Sequence, residues 1–314
     1  MGETLALLAL VLFSSNIILT KLATARLDIN IGFLISVWVN VLFAAVLFSI
    51  QLFFFNEGKF EWHTKGFLLF LTAGFFSTYM GRWFFFETID RLGPSRASTF
   101  QVSNPMFTTI IAWLFMGEKL SWVDLLSVGV ILFGLFLVSY VAKSSAKREI
   151  AASKESLMVQ TSRESSKIWL LKSGILLAFL SSLSYAIGNV LRGAAIKNWN
   201  EPILGGIFGA VLGLILFSIT NKSARSFLGQ IKESDPKGVL LYVTSGVITI
   251  SAQISVIASM RYIPISIANL ITMSTPVIVT PISFFLFKNQ EGITYRTLAG
   301  TILVLTGIFL IILV

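Results

Sequence analysis

Arg82 stands inside a membrane-length apolar stretch, four residues before that stretch ends at Phe86. A charge in such a place is costly and normally faces a cavity or a partner. With α-helical spacing, Thr78, Tyr79, Arg82 and Phe86 fall on one face. A phenol beside a guanidinium can hold a carboxylate, and Trp83 can stack on a flat solute. The competing readings for Arg82 are snorkelling to an interface or pairing with Glu87. Glu87 is the foremost carboxylate for carrying a coupled proton, and Glu3 a distant second. Arg91, four residues after Glu87, offers it an ordinary helix ion pair, which is the favoured reading.

Other polar residues interrupt apolar stretches at helical spacing. Gln101, Asn104 and Thr108 form one stripe beside Pro105. Asn269 and Thr272 form another near Pro276. Asn16 and Thr20 form a third, and Tyr185, Asn189 and Arg192 stand at i, i+4 and i+7. Each alone reads as an interhelical hydrogen bond worth about 1 kcal/mol. Together, amides from several segments point to a polar central cavity. The chain has no cysteine and a single histidine, His63. A disulfide framework, a thiolate or multi-histidine metal site and a cysteine nucleophile are excluded. No phosphate-binding loop, dinucleotide glycine fingerprint, HExxH helix or GxSxG elbow occurs. No catalytic residue, cofactor or metal is therefore expected. An ATP-driven pump would need a nucleotide domain that the loops cannot hold.

The elements that must carry these residues follow from composition. Of 314 residues, 55% are hydrophobic, 12% are charged and 28 are Phe; mean hydropathy is +0.84. A soluble core cannot hide so much apolar surface, and disorder is excluded for the same reason. A membrane helix uses about 20 apolar residues. Ten such stretches are expected, at Thr4–Ala23, Ile31–Phe55, Gly66–Phe86, Ser95–Phe115, Trp122–Val141, Ile168–Arg192, Pro202–Ile219, Gly238–Met260, Ile265–Phe287 and Thr297–Val314. Met1-Gly2-Glu3 lacks a basic region and no Ala-x-Ala site follows, so the first stretch is expected to be retained. The charged, Ser-rich segment 142–167 reads as a solvated linker between halves 1–141 and 168–314.

The halves repeat. Lys65–Gly74 matches Lys237–Gly246 at six of ten positions, Arg91–Pro94 parallels Arg261–Pro264, and Ser121–Val138 parallels Thr294–Ile311. In this register Gln253 matches Gly81 and Ile254 matches Arg82. A cavity on the pseudo-axis would then have one cationic and one amide wall. An odd number of spans per half inverts the second half, the architecture of secondary transporters with a midplane site.

Gly93-Pro94-Ser95-Arg96-Ala97-Ser98, Asn104-Pro105 and Gly117-Glu118-Lys119-Leu120, preceded by Gly81–Glu87, resemble the signature of the drug/metabolite transporter superfamily in its ten-helix EamA-like branch. Lys288–Gly292 departs from the compact Gly-Glu-Lys-Leu turn in the second half. The resemblance implies an all-α integral membrane protein with two inverted five-helix repeats. The implied activity is alternating-access transport of small organic metabolites, amino acids or similar anionic or zwitterionic solutes foremost. A lipid flippase or a non-transport membrane protein is the alternative. Candidate substrate-binding residues are Arg82, Tyr79, Trp83, Gln101, Asn104, Asn16, Tyr185, Asn189, Gln253 and Asn269, with Glu87 for coupling.

The net charge of +9 reads as a positive-inside bias rather than nucleic-acid binding. Counting Lys and Arg by alternating loops puts the linker in the cytoplasm and both termini outside, whereas the resemblance implies cytoplasmic termini for many members. A plasma-membrane location, contact with lipid and a small-molecule substrate, and a monomer rather than a dimer are expected. Gly205, Gly209 and Gly213 read as a close-packing stripe within the bundle. Phe53–Phe55 read as lipid or packing surface, and His63 as an interfacial residue.

Overall fold

Lipid offers no hydrogen bonds, so an apolar spanning segment must satisfy its own backbone, and the α-helix does so residue by residue. The computed structural model describes residues 1–55, 60–92, 100–101, 103–137, 164–220, 227–286 and 295–313. Among these residues the segments are helical and none is a strand. Five helices are long and apolar enough to cross a membrane: Gly2–Thr24, Ile31–Phe55, Gly174–Asn198, Pro202–Thr220 and Pro236–Ser259. Large apolar side chains remain exposed along them, and Phe53, Phe54 and Phe55 reach 71%, 81% and 78% exposure. Aqueous solvent would penalise such a surface; lipid does not.

The described helices are α1 (Gly2–Thr24), α2 (Ile29–Ile50), α3 (Thr64–Gly74), α4 (Arg82–Leu92) and α5 (Ser103–Met116). Then follow α6 (Trp122–Leu137), α7 (Glu164–Asn198), α8 (Pro202–Thr220), α9 (Phe227–Glu233) and α10 (Pro236–Ser259). Last come α11 (Ile265–Met273), α12 (Pro276–Leu286) and α13 (Tyr295–Leu313). Two π-helical segments, Gln51–Phe55 and Phe75–Gly81, follow α2 and α3.

Local chemistry explains the helix starts. Asp235 caps α10 by accepting from the Lys237 N–H at 3.1 Å, with Pro236 in the first turn. That backbone bond, then Arg26 at 3.1 Å, holds the Asp235 carboxyl below its ordinary range. His63 caps α3, its Nδ1 accepting from the Gly66 N–H at 3.0 Å, so it has a definite structural task. Ser121 and Asp124 exchange side-chain-to-backbone bonds of 2.9 and 3.1 Å at the start of α6, a reciprocal cap. Before it, Gly117 adopts φ +63°, which a side chain at that position would oppose.

The structure redraws three expected boundaries. α7 begins at Glu164, within the expected linker, and runs to Asn198, past Arg192; residues 142–163 of the linker lie outside the described residues. The expected span Ile265–Phe287 is broken between α11 and α12, at Ser274 and Thr275. Pro276 lacks an N–H and disfavours α geometry in the residue before it. The third expected stretch contains the π-helical segment. Residues 95–99 and 138–141, at the edges of two further stretches, lie outside the described residues.

By contact the chain forms two units. One comprises Met1–Tyr79 and Ile187–Thr275, the other Met80–Ala186 and Pro276–Val314. Each draws on both sequence halves. In the first unit α1 packs on α10 and α11, α2 on α10 and α8, and α3 on α8. Tyr242 is buried there with Ala23, Leu27 and Ile35. The glycine stripe of α8 faces α3 and the π-helical segment after it: Gly205 meets the Phe70 ring, Gly209 meets Gly74, and Gly213 meets Thr78. Packing within the bundle is thus its use. In the second unit α6 packs on α13, where Gly134 lies against the Gly300 carbonyl and Val304, and Gly307 against Ile131.

Candidate functional site

In the second unit α7 presents Ser181 and Tyr185, one turn apart, to consecutive residues where the π-helical segment gives way to α4. The Ser181 hydroxyl donates to the Gly81 carbonyl at 2.8 Å, and the Arg82 guanidinium hydrogen-bonds the Tyr185 side chain. Gln101 Nε2 donates to Ser181 Oγ at 2.9 Å. Arg82 and Tyr185 thus form one pair, and Gln101, Ser181 and the Gly81 carbonyl form a separate hydrogen-bonded chain at the adjacent residue. Beside it, Ser103 donates to Ser182 Oγ at 3.0 Å, and Ser182 donates to the Phe100 carbonyl at 3.2 Å. Phenol and guanidinium form a pair in which the positive charge is not cancelled by Tyr185. Such a pair can receive an oxyanion.

The remaining candidates of this unit are placed differently. Trp83 is 53% exposed and stacks on Phe84, with 5.4 Å between centroids and 26° between planes. Asn104 is buried and accepts from Thr108 at 3.1 Å along its own helix. Glu87 is half-buried on α4. The expected Glu87–Arg91 pair rests on the Arg91 side chain, which lies outside the described residues.

The first unit holds two polar clusters. Asn189 Nδ2 donates to Asn269 Oδ1 at 2.8 Å, joining α7 to α11. Arg192 donates to Asn189 Oδ1 at 3.5 Å and to Thr78 Oγ1 at 3.4 Å. Between α1 and α10, Ser245 donates to Asn16 Oδ1 at 2.5 Å, with Thr20 Oγ1 3.5 Å from Ser245. Gln253 is half-buried on α10. Tyr79 packs on Phe75, with centroids 6.0 Å apart. The π-helical segment spans Phe75–Gly81, so the α-helical spacing that put Tyr79 and Arg82 on one face does not apply there.

Sequence reasoning did not select Ser181 or Ser245, put Thr78 on the Arg82 face rather than beside Arg192, and took Arg192 as the end of its span. Arg192 is 6% exposed and lies within α7. The available signal was the apolar sequence Gly193-Ala194-Ala195-Ile196, which continues the helix beyond the charge.

At the helix ends of this unit, Trp199 is buried among Phe60, Trp62, Phe70 and Phe208, its Nε1 donating to the Glu61 carbonyl at 3.2 Å. Two residues on, Glu201 accepts from Gln51 Nε2 at 2.9 Å. Partial burial pushes the Glu201 carboxyl above its ordinary range, and the Gln51 bond pulls it partly back. A carboxyl raised by folding binds its proton more tightly in the native state. Its contribution is present at low pH and is lost as pH rises from the ordinary value through the raised one. Glu201→Gln is accordingly expected to raise the melting temperature in detergent at pH 7.5, with the gain vanishing near pH 4. A gain equal at both pH values would show that ionisation is not its cause.

The sequence matches the profile of the EamA-like transporter family over residues 1–140 and 172–313. The chain belongs to that family. It is a multi-pass membrane transporter of the drug/metabolite superfamily. The two matched ranges flank the whole linker. Among curated proteins none matches the sequence. One solved structure, titled only as the crystal structure of a protein, aligns with a TM-score of 0.69 at 13% identity, over 98% of this chain and 97% of that one. At that identity the likeness bears on the fold alone.

Proposed function

We propose that this EamA-like protein carries small organic anions or zwitterions, amino acids foremost, across the plasma membrane by alternating access. Two inverted five-helix repeats move about the solute, and the monomer is the working unit. The protein needs no cofactor and performs no catalysis. Transport is facilitated, or an exchange or export driven by solute gradients, with Glu87 the carboxylate to examine for proton coupling.

The observation that carries this reading is the Arg82–Tyr185 pair, braced by Ser181 and Gln101 at the Gly81 carbonyl. Intramembrane arginines are retained where they meet a partner or a substrate path. A planar fork with a neutral phenol partner suits a carboxylate. The test is uptake by the purified protein in proteoliposomes, screened across labelled amino acids, nucleotides and sugar phosphates without an imposed pH gradient. Amino acids are expected to enter fastest. Entry of sugar phosphates alone would overturn the substrate class. Scrambling of labelled phospholipid without solute uptake would replace transport of soluble metabolites by lipid movement.

A further inference from the structure

In the second unit α6 and α13 run antiparallel. Gly134 of α6 meets Gly300 of α13, while Ile131, earlier on α6, meets Gly307, two turns further along α13. The end of α6 at Leu137 therefore lies level with the start of α13 at Tyr295. There Phe136, Leu137, Tyr295, Arg296 and Ala299 line a cavity of about 470 Å³, within the usual range of ligand pockets, about 300–1,000 Å³. Carbon forms most of its wall, and Arg296 brings the one formal charge among these five residues. The guanidinium is tied to the rim: Nε donates to the Tyr295 hydroxyl at 3.3 Å, and its carbon stands 5.8 Å from the centre of the same ring. With every contact it makes within the chain, Arg296 stays exposed, as does Tyr295. From the rim, Leu298, Ile302, Leu305 and Phe309 continue down α13 as exposed apolar side chains, spaced with Tyr295 at i, i+3, i+7, i+10 and i+14. Trp122, at the far end of α6, is exposed and marks the opposite interface.

We propose that this rim cavity holds an anionic phospholipid, its phosphate on the Arg296 guanidinium and one acyl chain in the apolar part of the cavity and along the α13 stripe. Position and charge select the occupant. Tyrosine and arginine at the end of a membrane helix sit at headgroup level. The planar guanidinium fork matches phosphate oxygens. A soluble anion would use the arginine and leave the carbon wall uncovered, and an uncharged apolar molecule would cover the wall and leave the arginine unused. An isologous dimer through this face would bring two Arg296 cations to the same membrane level of one interface. A phospholipid joins the two chemistries in one molecule, in the order in which the rim and the stripe present them.

The test is native mass spectrometry of the full-length protein in detergent, titrated with phosphatidylglycerol or with phosphatidylcholine of the same acyl chains. One basic side chain near an acidic headgroup is worth about fivefold in affinity. Wild type should therefore bind phosphatidylglycerol at least about fivefold more tightly than phosphatidylcholine, and Arg296→Gln should bind the two alike. Ala299→Phe fills the cavity from an exposed position and leaves the arginine in place, so it should weaken both lipids. A wild type without the preference, or a folded Arg296→Gln protein that keeps it, overturns the proposal. Displacement of the lipid by millimolar inorganic phosphate also overturns it, since the acyl chain would then add nothing. A lipid-free dimer that Ala299→Phe dissociates would give the face to a second copy of the chain instead. Should Arg296→Gln not fold, Ala299→Phe decides, and undiminished binding of phosphatidylglycerol by that variant overturns the site. The readout is binding, so its outcome stands apart from solute uptake.

Discussion

Arg82→Gln should nearly abolish uptake of carboxylate-bearing solutes while leaving the protein folded. The argument begins with cost. An arginine placed in a membrane segment must recover its desolvation from partners or from bound substrate. The Tyr185 hydroxyl is one partner, and it carries no charge to offset that of the guanidinium. A substrate carboxylate supplies a negative charge and two acceptors in one plane. Loss of that interaction is worth about 2–5 kcal/mol, or at least roughly 30-fold in affinity. Arg82→Lys keeps the charge and loses the fork, so a substantial but smaller defect is expected. Tyr185→Phe keeps the ring and loses one orienting bond, which should weaken uptake less than either arginine variant. Glu87→Gln is the control. If Arg82 served only as a structural partner of Glu87, both variants would lose thermal stability together. Solute binding and melting temperature are to be measured on each. Unchanged binding in a well-folded Arg82→Gln protein would remove Arg82 from the site.

The fold was legible because lipid imposes a single rule on long apolar stretches: satisfy the backbone internally. Pro202–Thr220 and Pro236–Ser259 stand within two residues of their expected limits for that reason. Where the structure departs from the sequence reading, the cause is local. Arg192 looked like a span end because hydropathy treats a charge as a boundary, yet the helix continues through the small residues after it to Asn198. The π-helical segment left no trace in residue spacing, because every face assignment assumed α geometry. The break before Pro276 was signalled by the proline, but membrane helices also tolerate interior prolines, as α12 does at Pro281.

The candidate site was legible in residue type but not in pairing. Asn189 and Asn269 were both selected as intramembrane amides, and they bond each other across 80 residues of sequence. Gln101 and Tyr185 were selected too, but the serine that joins Gln101 to the Gly81 carbonyl was not. Helical serines usually bond their own backbone one turn earlier, as Ser77 and Ser251 do here. Composition alone cannot separate those serines from the ones that reach a second helix.

Gly74→Ala should destabilise the protein, although it adds one methyl and removes a helix-weakening glycine. A Cβ at Gly74 would lie 2.8 Å from the Gly209 Cα. That neighbour is backbone, so no side chain can rotate away and α3 must separate from α8. Overpacking of this kind costs about 1–3 kcal/mol. The Ala gain in helix propensity, at most about 1 kcal/mol, does not recover it. The reverse change is not equivalent. A Cβ at Gly209 points past Gly74 and makes contacts no closer than 3.5 Å, so Gly209→Ala should melt at or above the wild-type temperature. Thermal melts in detergent compare the two directly. Equal melting temperatures would show that the helices separate at no cost. The strain reaches Thr78, one turn beyond Gly74, which accepts from Arg192 and whose methyl lies 2.5 Å from where a Gly213 Cβ would stand. Moving α3 off the glycine stripe moves that hydroxyl with it. The close approach of α3 and α8 therefore sets the position of the hydroxyl that Arg192 meets, and a methyl at Gly74 should disturb that helix-to-helix tie as well.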